Sequence, residues 1–145
     1  YYAGRYKDGV EQFETHKTVN PQDVENAVWH FLCNVPVVGL EKSREQLIDV
    51  TRDARVPMAE VQGLYAGKLQ PKDVLKAAEE TPVDTPRGTE ARFYAHLYLA
   101  LYFEAVGEPK RALEHLDKAV ADYKIGHYMY DVAVAHRKMR TGPKK

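Results

Sequence analysis

Apolar residues recur along most of this chain at intervals of three and four, the period of helices that turn one face to a core. From Asp23 to Val35 the stripe is Val24, Ala27, Val28, Phe31, Leu32 and Val35. Asn20-Pro21-Gln22-Asp23 ahead of it supplies a capping side chain, a proline and an acidic first turn, and Pro36 and Gly39 stop it. Glu41 to Ala54 is predicted as a third helix, with Leu47, Ile48 and Thr51 inward. Two short helices follow: Pro57 to Ala66, built on Met58, Val61, Leu64 and Tyr65, and a second that Gln70-Pro71-Lys72-Asp73 opens and that runs to Glu80. Thr81 to Gly88 has prolines, a glycine and no period, so it is predicted as a loop. Helices over Thr89 to Val106, Pro109 to Tyr123 and His127 to about Arg140 complete the pattern. No useful stretch alternates with period two, and no hairpin signal occurs. The expectation is an all-α fold of about eight helices in antiparallel pairs.

The segment Arg92 to Tyr123 organises the rest. Its two helices meet at Gly107-Glu108-Pro109, a glycine to end one and a proline for the first turn of the next. Small Ala100, Ala112 and Ala119 allow close approach, and Leu99, Phe103 and Leu116 fill the space between. With His96 where a tryptophan is usual, Leu99-Ala100, Phe103, Gly107 and Ala112-x-x-x-Leu116-x-x-Ala119, the segment resembles a tetratricopeptide repeat. An ordinary αα-hairpin is the alternative. The resemblance implies an α-solenoid, with a partial repeat over 1–21, degenerate repeats over 22–80, the loop 81–88, a clear repeat over 89–124 and a capping helix over 127–140. In the partial repeat Gly4 matches Gly107, and Gly9-x-x-x-Phe13-x-x-His16 matches the later Ala-Leu-Ala spacing; the two glycines stand close to three periods of about 34 residues apart. The first half of that repeat is missing, so the chain reads as one domain truncated at its N-terminus. An apolar face on Tyr6 to His16, centred on Val10 and Phe13, is then expected to drive self-association.

Apolar residues are 44% of the 145 and charged residues 29%, the balance of a soluble globular protein. The formal net charge is zero, which supplies no field for nucleic acid or an anionic membrane. No apolar run has the length of a membrane span. VNPQDVENAVWHFLC and YKIGHYMYDVAVAH look similar to uncharacterised bacterial repeat proteins, some of them exported and lipoprotein-like. The chain contains no targeting segment, so the compartment is not readable from it.

No phosphate loop, nucleophile elbow or zinc-protease signature is present. The resemblance therefore implies a non-catalytic scaffold, without cofactor, that holds another protein or peptide in a concave groove. Carried over position by position, the groove would be lined by Glu25, Val28 and Leu32, by Tyr94, Leu97, Leu101, Glu104 and Ala105, and by Tyr128, Asp131, Ala135, Lys138 and Met139. Leu97 and Leu101 stand where one subclass of the family places carboxylate-binding Lys and Asn, which argues against that subclass. The competing reading is a metal-binding protein or hydrolase. It would use His30 with Cys33, three apart on a helix, or His127, Asp131 and His136. Zinc needs three or four convergent ligands, and a reactive thiol needs an exposed, electropositive setting. Cys33 adjoins the apolar stripe and reads as a small buried hydrophobe.

Overall fold

A computed structural model describes residues 1–142. Among them the chain forms eight helices: α1 Tyr6–Lys17, α2 Val24–Val38, α3 Leu40–Glu45, α4 Met58–Tyr65, α5 Pro71–Glu79, α6 Pro86–Ala105, α7 Pro109–Asp122 and α8 Tyr128–Thr141. They form two compact units, Tyr1–Val74 and the chain from Leu75 onward, with the division inside α5. Each is built on tightly paired helices, α1 with α2 and α6 with α7, an arrangement consistent with helical-repeat proteins in general. No helix among the described residues is long and apolar enough to cross a membrane.

In the first unit α2 is the central element and packs on α1, α3 and α4. Its stripe is largely interior: Val24, Ala27, Val28, Phe31 and Leu32, with Cys33 beside them, are at most 1% exposed, and Val35 is half-buried. Asp23 caps the helix, its carboxylate accepting from the Glu25 amide at 3.0 Å. Gly9 lets α1 approach, because a Cβ there would stand 2.6 Å from Cys33 Sγ. Phe31 meets Tyr65 of α4 edge-on at 5.1 Å between ring centroids. Val10 and Phe13 of α1 are half-buried rather than fully presented to solvent.

The helix expected over Glu41 to Ala54 stops at Glu45. Residues 47–54 run without helix, and Ile48 and Val50 are buried while Asp49 and Thr51 are exposed, an inside-outside alternation of period two. Side chains take up the backbone donors that a helix would have used. Gln22 Oε1 accepts from the amides of Thr51 and Arg52 at 3.0 and 2.8 Å. Asp53 accepts from the amides of Val24 and Arg55 at 3.2 and 3.1 Å. β-Branched Ile48, Val50 and Thr51 favour this extended course. At its end Arg55 gathers three carboxylates, with Nη2 at 2.9 Å from Asp23 and 2.7 Å from Asp53 and Nη1 at 2.5 Å from Glu25. Burial alone would raise the Asp53 carboxyl. The Arg55 guanidinium and the two amides outweigh it and hold that group below the usual carboxylate range.

Two further boundaries differ from expectation. α2 passes through Pro36 to Val38, ending where Gly39 donates to the Val35 carbonyl at 2.9 Å. α6 starts three residues before Thr89, because Thr85 accepts from the Gly88 amide at 3.0 Å and Pro86 fills the first turn, shortening the expected loop.

In the second unit every residue from Phe93 to Leu101 is buried, so the middle of α6 is enclosed on all sides. α7 turns Ala112, Leu116 and Ala119 inward, the register its spacing predicts. Gly107, at φ +82°, closes α6. The Glu108 amide reaches the Phe103 carbonyl at 2.7 Å and the Gly107 amide reaches Glu104 at 3.1 Å, the paired bonds of a left-handed helix stop.

Candidate functional site

The middle of α6 is enclosed, and this decides what becomes of the expected groove residues there. Leu97 and Leu101 are completely buried and Tyr94 is 8% exposed. Val28 and Leu32, in the first unit, are equally enclosed. Glu25 faces Arg55. These side chains offer a partner little or no accessible surface in this conformation.

α8 is different. Tyr128, Asp131, Ala135, Lys138 and Met139 are all exposed, Tyr128 at 66% and Met139 at 55%. At 100° per residue, Tyr128, Asp131, Ala135 and Met139 share one side of the helix, with Lys138 at its edge. Met129, Ala133 and His136 take the opposite, buried side. His127 starts the helix: its Nδ1 accepts from the Met129 amide at 3.3 Å and lies 3.2 Å from the Tyr94 hydroxyl. His127 therefore joins α8 to α6 as a cap, with Tyr94 as its hydrogen-bonding partner.

His136 ties the same two helices further along. Its Nε2 lies 2.7 Å from Glu104, and Arg140 binds the other oxygen of that carboxylate. Burial pushes His136 down to about 4, so the neutral ring donates Nε2–H to Glu104. Beside this cluster a cavity of about 400 Å³ opens between α6, α7 and α8, walled by Ala100, Ala112, Leu113 and Leu116, with Lys110 and Arg140 at its mouth.

A second histidine pair lies within the α6–α7 hairpin. The Nδ1 atoms of His96 and His115 are 2.8 Å apart. Tyr123 stacks on His96, and Phe103, under the Arg111 guanidinium, stacks on His115. Burial, with His115 and Lys118 nearby, lowers His96 to about 4, and His115 is lowered in the same direction. One ring donates and the other accepts, so the contact requires that the two are not both protonated.

The residues of the competing metal or hydrolase reading are held apart in separate roles. His30 turns to Glu14 at 3.3 Å, while Cys33 lies against Gly9 with its thiol raised by burial. Asp131 faces outward from α8, whereas His136 faces inward to Glu104. Among the described residues no group of three or more His, Cys, Asp or Glu side chains is placed to hold a metal ion.

The sequence pattern did not single out Lys110, Arg140 or the His96–His115 contact. The spacing of His136 and Arg140, one turn apart on a helix, was readable; the α6 carboxylate that joins them was not. Comparison with family models and with curated proteins gives no match to this chain.

Proposed function

We propose that the chain is a tetratricopeptide-type helical module whose work is non-catalytic: it holds a segment of another protein on the outer side of α8. The observation that carries this reading is the exposure of Tyr128 and Met139 on one side of a helix that is otherwise well anchored. Tyrosine is enriched among the residues that anchor partners, and the flexible thioether of methionine adapts to irregular apolar surfaces. Asp131 and Lys138 beside them carry opposite charges and have no ion pair among the described residues. An amphipathic segment with an apolar stripe flanked by one charge of each sign complements that side. The five exposed residues are also the positions that the repeat resemblance assigns to the groove on this helix.

The test separates binding from folding. Phe103 is 1% exposed, and Phe103→Ala should cost about 3–5 kcal/mol. A Tyr128→Ala, Met139→Ala double variant should keep its stability to within about 1 kcal/mol. A partner captured by the purified chain and photo-crosslinked from position 128 should lose about 2 kcal/mol or more of binding to the double variant. Undiminished binding, or crosslinking confined to another helix, would reject α8 as the docking side.

A further inference from the structure

We propose that the cavity between α6, α7 and α8 binds a small amphipathic carboxylate, its apolar body among Ala112, Leu113 and Leu116 and its acid group against Lys110 and Arg140. The volume of about 400 Å³ is within the usual size of small-molecule sites, and the walls are mainly aliphatic. An apolar hollow alone would accept any greasy group. The polar inventory at its mouth narrows the choice.

Among the described residues Glu104 is the one carboxylate lining the cavity, and both its oxygens are engaged, Oε2 by His136 and Oε1 by Arg140. His136 uses Nε2 in that contact. Arg140 directs Nη2 to Glu104 while its Nε lies 3.3 Å from His136 Nε2, and among the described residues Nη1 keeps its two N–H donors. Lys110 is exposed and has no ion pair among the described residues, so its three donors are available. The mouth therefore presents donors and net positive charge, while its own acceptor is occupied. A ligand with a carboxylate satisfies those donors, whereas an amine of the same shape is disfavoured by the two cations against the one carboxylate. Glu104, itself held by the buried His136, fixes the guanidinium in place beforehand, so less side-chain freedom is lost on binding. This site is separate from the outer side of α8, whose centre lies about 100° around that helix from His136.

Octanoate is a suitable probe, with octanol and octylamine as neutral and cationic bodies of the same length. Titrated into isotope-labelled full chain below micellar concentrations, octanoate should give saturable shifts at the amides of Ala112, Leu113 and Leu116. Octanol should bind at least about tenfold more weakly, and octylamine should give no saturable shift. Lys110→Gln should weaken octanoate binding about tenfold, because the residue is exposed and contributes charge-assisted donors. Leu113→Trp, at a half-buried wall position, should fill the cavity and abolish binding with the melting temperature kept. Tyr128→Ala should bind octanoate normally, which separates this site from the proposed protein-docking side. Equal binding of the three probes would overturn the proposal, as would no saturable shift with octanoate or unchanged binding by Leu113→Trp. A dimer that Leu113→Trp disrupts and octanoate does not would assign the cavity to a second copy of the chain, and would overturn it too.

Discussion

Acidification should weaken this fold through His96 well before its carboxylates are protonated. In the unfolded chain the ring titrates near 6.5; in the folded hairpin burial, His115 and Lys118 lower it to about 4. Glu114 on α7 acts the other way on His115, and Glu79 and Arg92 line the small hollow that His96 and Tyr123 share. Because the folded value is depressed, the stabilisation is fully present above about pH 6.5 and is lost as pH falls toward 4. At pH 5 an unfolded His96 is almost fully protonated and the folded one almost fully neutral. With 1.36 kcal/mol per pH unit, the loss from this residue between pH 7 and pH 5 is about 2 kcal/mol. His115 is shifted in the same direction and adds to it. Urea-unfolding midpoints followed by circular dichroism at 222 nm, at pH 7, 6 and 5, would measure the slope. His96→Phe keeps a ring against Tyr123 and removes the titration, so it should be less stable at pH 7 yet lose about 2 kcal/mol less on acidification. Parallel pH profiles for wild type and His96→Phe would refute the assignment of the loss to this residue.

Two other substitutions test the first unit. Gly9→Ala places a Cβ 2.6 Å from Cys33 Sγ and should destabilise by about 1–3 kcal/mol; Cys33→Ala should recover part of that loss in the double variant, as thermal unfolding would report. Arg55→Ala leaves Asp23, Glu25 and Asp53 facing one another; since Arg55 is half exposed, the cost should be about 1–2 kcal/mol and should shrink in high salt, measured by melting temperature against ionic strength.

The helical character of the chain was legible because periodicity and stop signals agreed in most places. Gly107-Glu108-Pro109 combines a left-handed stop with a proline start, and the buried register of Ala112, Leu116 and Ala119 follows from it. Residues 47–54 depart from their helical spacing for a specific reason. Leu47, Ile48 and Thr51 have helical spacing, and the Ile48–Val50 alternation is too short to outweigh it. There the amides of Thr51 and Arg52 go to Gln22, a polar residue far back in the chain whose role no local window displays. The α6 side chains were harder for another reason. A helix apolar all round says that it is enclosed, without saying by what, so carrying over groove positions placed Leu97 and Leu101 on a surface that they do not reach. On α8, only one side of which is buried, the same carry-over picked exposed residues.

The acceptors at the start of α2 have a consequence for the order in which this unit can assemble. Val24 donates to Asp53, and Gln22 receives Thr51 and Arg52, so the helix entrance is completed by chain that emerges about thirty residues later. An isolated peptide ending before Thr51 would carry the α2 pattern and its Asp23 cap, but would lack the acceptor for its first free amide. Closing a loop of that size costs entropy before these bonds repay it. The rate at which the first unit forms should therefore depend on the extended 47–54 segment finding its place, and the entrance of α2 and that segment should open together in native-state hydrogen exchange as a single cooperative piece.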